Sequence, residues 1–424
     1  MTSGAIERET IRTVSVRILP LLFLLYVASY LDRTNVGIAA LQMNGAIGLS
    51  AAAYGLGAGI FFIGYALFEV PSNIILARVG ARRWIARIAV SWGLLSCGML
   101  LARGPWSFYA LRFLLGVAEA GYFPGIIYYL SHWYPQRYRA RAIARFMIGI
   151  PLSSVIGGPL GGAMLGLDGR LGLAGWQWLF LVEGLPAVIL GVVVWRTLVE
   201  RPEDATWLTA AQRDWLTAEI ARDASRTESR HGAWEALRHP IVWWVAAPYF
   251  VILGSQLAVN FYLPTIMKEA LRLSNQGVGW LTGAISVVGT IGMLVNGWWS
   301  DRSGARIMHN VVPLVVVSGG ALLAATAASP ALVVAGLALV LVGHNIMMPA
   351  FWCLPSLFLS GVGAAAGIAL INSLGNLGGF FGPNLVGSVK TATGSYSAAF
   401  LVIAGTAFVA ALVTLALRSR REFA

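Results

Sequence analysis

Six ionisable side chains interrupt apolar sequence in the first half of the chain: Asp32, Arg33, Glu69, Arg112, Glu119 and Glu183. In a hydrocarbon setting each costs roughly 2.5 to 3.5 kcal/mol even on a lenient insertion scale, so each calls for a partner and a purpose. Arg112 and Glu119 stand two helical turns apart on one face, about 10 Å along the axis, too far to pair with each other. The neighbouring Asp32 and Arg33 supply one complement of each sign. Counting residues puts Asp32 and Arg112 at similar depth, with Glu119 nearer the middle, so two carboxylates and two guanidinium groups can form one network. A carboxylate in a low-dielectric cavity resists ionisation unless a cation stands beside it. An anion that occupied the arginine would remove that support, linking anion binding to protonation. Arginine suits the anion because its planar fork makes two parallel hydrogen bonds and keeps its charge. The alternative is a static neutral network that locks helices together.

The other polar groups divide by half. Glu69 precedes Pro71 and can latch a gate by pairing with loop arginines. Glu183, in Glu183-Gly184-Leu185-Pro186, can cap or brace a proline-bent helix. The second half offers His344 and the neutral groups Gln256, Asn260, Asn345, Asn372 and Asn376 as substrate contacts. His344 can titrate near neutrality or serve as a satisfied hydrogen-bonding residue. Charge recognition thus falls to the first half and shape recognition to the second.

The elements that carry these groups follow from composition. The 424 residues are 58% hydrophobic and 11% charged, with a mean hydropathy of +0.73, which excludes a water-soluble globule. Twelve apolar runs have the length of a bilayer-crossing helix: 18–41, 54–77, 84–102, 107–131, 142–167, 177–198, 241–266, 278–299, 311–329, 331–356, 362–388 and 396–417. The first run lacks a cleavage site and is read as retained. Most of the 30 Lys+Arg fall at one end of the spans, while Arg103, Arg170, Lys268, Arg272 and Lys390 fall at the other. The positive-inside rule then predicts an inner-membrane protein with both termini cytoplasmic. The net charge of +12 reflects loops near anionic lipid, with no nucleic-acid partner implied. Cys97 and Cys353 suggest neither a disulfide nor a metal site, and no cofactor motif is present.

One polar segment splits the spans six and six. We expect an N-terminal bundle over 1–199, a cytoplasmic linker over 200–239 and a C-terminal bundle over 240–424. In the linker, Trp207, Leu208, Trp215, Leu216 and Ile220 recur at helical spacing, predicting an amphipathic helix along the cytoplasmic face. The halves echo each other: Arg78-Val79-Gly80-Ala81-Arg82 matches Arg302-Ser303-Gly304-Ala305-Arg306, and Glu119 falls opposite His344 at nearly the same offset. Such repeats place substrates at the interface of the halves. Glycine-rich stretches such as Gly157-Gly158-Pro159-Leu160-Gly161-Gly162 permit close helix approach.

The segment from Gly297 through Asp301 and Arg302 to Arg306 resembles the loop signature of the major facilitator superfamily. Its first-half copy departs, with Ala77 in place of the acid and Asn73 in place of the first glycine, leaving Glu69 as a substitute. Tyr30-Leu31-Asp32-Arg33-Thr34-Asn35, Gly64-Tyr65 with Glu69-Val70-Pro71-Ser72-Asn73, Arg112 through Glu119 to Gly121, and His132-Trp133-Tyr134-Pro135 resemble the anion:cation symporter family, its tartrate, phthalate and hydroxyphenylacetate permease branch above all. The resemblance covers Leu19 to Leu417. It implies an all-α membrane protein of twelve transmembrane helices in two pseudo-symmetric six-helix bundles, working by alternating access; because one twelve-helix chain can form a complete pathway alone, a monomer is expected. It further implies proton coupling at Asp32 and Glu119, cavity arginines at Arg33 and Arg112, a cavity tyrosine at Tyr65, and gating by Asp301, Arg302 and Arg306. The family's span-five glutamine has no match between Phe146 and Ser154, and span seven lacks the arginine of animal relatives. We therefore expect proton-coupled transport of a small organic carboxylate, either a hydroxy-dicarboxylate or an aromatic acid. A facilitator or exchanger is the alternative, and a nontransporting sensor a more distant one. No catalytic set suggests an enzyme.

Overall fold

The computed structural model describes residues 3–226, 238–355 and 361–419. Helices dominate them: α1 (Ser3–Ala46), α2 (Ala51–Val79), α3 (Ala81–Gly98), α4 (Pro105–Glu119), α5 (Tyr122–Ser131), α6 (Gln136–Met147), α7 (Gly149–Leu165), α8 (Gly175–Thr197), α9 (Ala210–Arg226), α10 (Pro240–Leu271), α11 (Asn275–Ser303), α12 (Met308–Thr326), α13 (Pro330–Cys353), α14 (Gly361–Thr393) and α15 (Ser397–Ala416). The pairs α4–α5 and α6–α7 each make one span. Eleven spans meet both length and hydropathy for crossing a bilayer. The twelfth expected span, α14, lies centrally, packed against α10 and α2. Position 356, the end of the tenth expected span, and positions 227–237 of the expected linker lie outside the described residues.

Local chemistry sets the helix starts. Ser50 accepts from the Ala53 amide and Ser274 from the Gly277 amide, each satisfying an orphan donor of a first turn. Pro105, Pro240 and Pro330 occupy first-turn positions, where a missing N–H costs nothing. Several helices overrun the apolar runs read from sequence. The start of α1 continues as a polar helix because Tyr138 on α6 donates to Glu7, and Arg137 pairs with Glu7 at 3.0 Å.

Packing repeats between the halves. In the first, α3 packs on α8, α2 on α4, and α1 on both α7 and α8; in the second, α12 packs on α15, α11 on α13, and α10 on both α14 and α15. Each pair maps onto its counterpart when spans one to six are exchanged for seven to twelve, which makes the two bundles pseudo-symmetric. The contacts across the halves obey the same exchange: α2 meets α14 and α7 meets α11, while α1 meets α10. Side chains such as Leu24, Leu94, Ile291, Leu294 and Leu412 stay exposed on the perimeter, as required where lipid is the solvent.

Contacts across the halves cluster at the arginine-poor end. Tyr262 donates to the Ala51 carbonyl at 2.8 Å, Lys268 to the Leu41 carbonyl at 3.2 Å, and the Ala52 amide to Thr391 at 3.0 Å. Gly158 and Gly279 touch backbone to backbone there: a Cβ on Gly158 would lie 2.5 Å from the Gly279 carbonyl oxygen. Towards the other end, Ser373 donates to Glu69 at 3.2 Å.

The linker helix differs from expectation. Trp207 stacks on Trp133 at 5.4 Å, and Leu208 and Leu216 are buried. Arg137 bridges to Glu219 at 3.4 Å, and the Gln136 amide donates to Asp223 at 2.6 Å. The apolar face of α9 thus finds protein, the first bundle, before it can find lipid.

Gly158→Leu should hold the arginine-poor end open without unfolding either bundle. Spin labels at Ala46 and Glu269, in a chain with Cys97 and Cys353 replaced by serine, should move apart while elution stays monodisperse. An unchanged distance would show that this close approach does not control the closure.

Candidate functional site

The helix α1 presents Ser29, Asp32, Arg33 and Asn35 to its neighbours, and α4 presents Arg112 and Glu119. Glu119 is the last residue of α4. The chain breaks there because Gly121 adopts φ +81, a left-handed conformation that favours glycine, and a Cβ on it would stand 2.6 Å from the Ser72 hydroxyl. The break fixes Glu119 at mid-span, facing α1.

Arg33 and Glu119 form an ion pair of 2.5 Å, with 16% of the arginine side chain exposed and none of the glutamate. Ser29 donates to the same carboxylate oxygen at 2.7 Å. The guanidinium is ringed by aromatic faces: Tyr65 at 5.2 Å, Tyr30 at 5.4 Å and Phe61 at 5.6 Å to the ring centroids. Such faces favour a cation and exclude water from its flanks. From the other half, Tyr249 faces Tyr30 and Arg33 and is itself stacked on Phe351 at 4.7 Å and against Trp352 at 5.1 Å. Gln256 and Asn372 are half-buried, and among the described residues neither amide is hydrogen-bonded.

The four-charge network is not closed. Arg112 is fully buried and gives Nε to the Gly57 carbonyl at 3.4 Å and Nη2 to the Ala58 carbonyl at 3.2 Å, over the Phe61 ring at 4.9 Å, with Nη1 buried and unpartnered among the described residues. Asp32 takes hydrogen bonds from Ser96 and, at 3.4 Å, from Asn35. Only Arg33, of the two arginines expected to meet an anion, reaches open space.

Other expected residues are placed differently too. His344 is fully buried, its Nδ1 2.7 Å from the Val340 carbonyl and its Nε2 2.9 Å from the Ser255 hydroxyl. Both nitrogens are used, so it bolts α13 to α10 and has none left for a solute. Asn345 turns to α11, where a Cβ on Gly289 would lie 2.6 Å from its amide nitrogen. Asn376 is 6% exposed. Glu69 pairs with Ser373 on α14 in place of loop arginines. Asp301 and Arg302 are exposed, Arg302 lies over Trp298 at 4.4 Å, and neither Asp301 nor Arg306 forms an ion pair among the described residues. Sequence reading missed Ser29, Ser96, Ser373 and Tyr249. Ser29 stands one turn before Arg33 and was findable; the others have no local signal.

The family model described as Major Facilitator Superfamily matches residues 22–383. The chain belongs to the Major Facilitator Superfamily. An Agrobacterium vitis protein provisionally named a tartrate transporter is 46% identical over 97% of this chain and 95% of its own length. A quinolone resistance transporter of Acinetobacter baumannii is 43% identical over 92% and 91%. The similarity to the tartrate transporter supports the anion-transporter branch that the motifs indicate. Among solved structures, a bacterial homologue of the lysosomal transporter Spinster, in an inward-facing and unoccupied conformation, has a TM-score of 0.77 with 18% identity, covering 95% of this chain and 98% of that one. The chain is thus a multi-pass membrane transporter of the superfamily, acting on a small molecule, and not an enzyme.

Arg33→Leu strands the buried Glu119 carboxylate without its cation, at a cost of about 3 kcal/mol. The double variant Arg33→Leu/Glu119→Gln should recover much of that loss in thermal unfolding of the detergent-solubilised protein. Equal instability of the single and the double would show that packing, not charge, sets the loss. Gly121→Ala should lower the melting temperature by forcing the left-handed turn and crowding Ser72, at about 1 to 2 kcal/mol; a melting temperature equal to that of the unaltered protein would contradict that account.

Proposed function

We propose that this transporter couples inward movement of a small organic carboxylate to protons, in the inner membrane with both termini cytoplasmic. The observation that carries the reading is the Arg33–Glu119 pair, a cation whose side chain is 16% exposed while its counterion is fully buried. A substrate carboxylate that takes the Arg33 fork competes with Glu119 for the same donors. Glu119 then loses its counterion in a low-dielectric setting, and a proton is the partner that restores neutrality. Substrate and proton therefore favour each other's binding, and by linkage the favour is reciprocal. Asp32, one residue away on α1, is the second proton-coupling carboxylate.

Tyr65, Gln256 and Asn372 complete the substrate contacts in this reading, with Tyr249 as a wall. Free amides suit hydroxyls and the Tyr249 stack suits an aromatic ring, so both a hydroxy-dicarboxylate such as tartrate and an aromatic acid belong in the test. The bundles over 1–199 and 240–424 are the moving bodies and 200–239 joins them, with α9 riding on the first. Glu69 with Ser373, and Asp301, Arg302 and Arg306 at the arginine-rich end, are the gating groups.

Uptake of labelled tartrate, phthalate and hydroxyphenylacetate into proteoliposomes, with and without an inside-alkaline gradient, tests the reading. Accumulation of one acid only with the gradient is expected. Equal uptake without it would mean a facilitator, and uptake only against internal acid an exchanger. Asp32→Asn and Glu119→Gln should each abolish gradient-driven accumulation while sparing exchange, and Arg33→Lys should raise KM on the order of tenfold through loss of the bidentate fork. Variants that accumulate like the unaltered protein would sink the coupling scheme.

A further inference from the structure

Behind the cavity, the first bundle holds a second pair of carboxyls with no cation between them. Asp32 on α1 and Glu183 on α8 are 1% and 4% exposed, and neither joins an ion pair among the described residues. Two donors serve the cluster: Ser96 on α3 and the amide nitrogen of Asn35 both give to the Asp32 Oδ1 oxygen, and the Glu183 carboxyl stands near Asn35 without a hydrogen bond to it. Asp32 Oδ2, Asn35 Oδ1 and Glu183 Oε2 are left buried with no partner.

All three orphans are acceptors. With both carboxyls ionised, acceptor would face acceptor in a region where burial makes an unmet polar group expensive. One proton changes the count. It turns a carboxyl oxygen into a donor that another orphan oxygen can accept. Of the other ionisable groups near the pair, Glu119 is held by Ser29 and Arg33 and the Cys97 thiol by the Leu181 carbonyl at 3.9 Å, while Arg112 gives Nε and Nη2 to the Gly57 and Ala58 carbonyls, keeps Nη1 buried without a partner and forms no ion pair with either carboxyl among the described residues. The remaining neighbour, α7, has no titratable residue along 149–165.

The placement is built in by packing. A Cβ on Gly93 would lie 2.8 Å from the Gly184 carbonyl oxygen, and one on Gly184 2.9 Å from the Cys97 amide nitrogen. The helices α3 and α8 therefore touch beside Glu183 and press its carboxyl inward, towards α1.

We propose that Asp32 and Glu183 form a proton-holding site inside the first bundle, in which the two carboxyls share one proton across Asn35. The site takes the proton from water and returns it, so its charge changes by one unit and no co-reactant is needed. Its purpose rests on the transport reading above: the proton held here is distinct from the one that Glu119 takes. Asp32 and Arg33 are consecutive on α1, so one helix feels both events.

Infrared difference spectroscopy of the purified full-length protein at neutral pH, without substrate, tests the pair through the carbonyl band of a protonated carboxyl. The band should be present in the unaltered protein and in Glu119→Gln, and lost in both Asp32→Asn and Glu183→Gln. Glu183→Asp, which keeps a carboxyl in case the amide variant fails to fold, should retain the band at a shifted position. A band that is absent from the unaltered protein, lost in only one of the two amide variants, or unshifted in Glu183→Asp would overturn the proposal. Removal of the band by sodium at constant pH would assign the site to a metal cation and overturn it equally. Because this readout needs no substrate, failure of uptake with the band pattern intact would defeat the transport reading alone.

Discussion

A charge inside a bilayer must be answered by another charge, a dipole or a proton, and this constraint organises the first bundle. Arg33 is answered by Glu119, which is possible because α4 stops at Glu119 and Gly121 turns the chain. Arg112 is answered differently, by two backbone carbonyls of α2 and the face of Phe61. The difference decides their availability. A guanidinium that is partly exposed and bound to one carboxylate can exchange partners, whereas one enclosed among carbonyls cannot do so without moving a helix. Aromatic faces around Arg33 hold it without consuming its donors.

Close approach of helices is the second condition. Gly116 shows its scale within a bundle, since a Cβ there would lie 2.0 Å from the Phe61 carbonyl oxygen. The contact of Gly158 with Gly279 brings the same geometry to the surface between the halves. That surface is held by backbone contacts and single hydrogen bonds, such as Lys268 to the Leu41 carbonyl, with no ion pair across it among the described residues. Such contacts form and break with little reorganisation of charge, which suits two bodies that rock about a central site. The two-fold exchange of helix pairs gives α7 and α11 the relation that α2 and α14 have at the other side of the molecule.

The expected spans, the break between the halves and the pairing of charge with α1 and α4 all came from composition and spacing, because lipid imposes a uniform demand on long apolar helices. The errors lie where a demand was local to a partner. His344 lay opposite Glu119 in the internal repeat, yet Val340 and Ser255 take both its nitrogens. The apolar residues of the linker were legible, but not that Trp133 would stack on Trp207, ahead of α9. Tyr249 has no distinguishing neighbour in sequence, and it matters only because α10 turns it towards Arg33.

Sequence by itself determined that this chain lives in a bilayer, how many times it crosses, and which ionisable groups must be explained, since burial of charge in hydrocarbon is costly in any fold. Tertiary structure alone decided which of two arginines stays reachable, which carboxyl each serine serves, and that Asp32 is held by Ser96 and Asn35 with no ion pair to Arg112 among the described residues. The reachability of an arginine and the partner of each serine depend on the rotation of each helix about its axis and on the close contacts that set it. A consecutive pair such as Asp32 and Arg33 points in directions about 100° apart, so neighbours in sequence enter different environments.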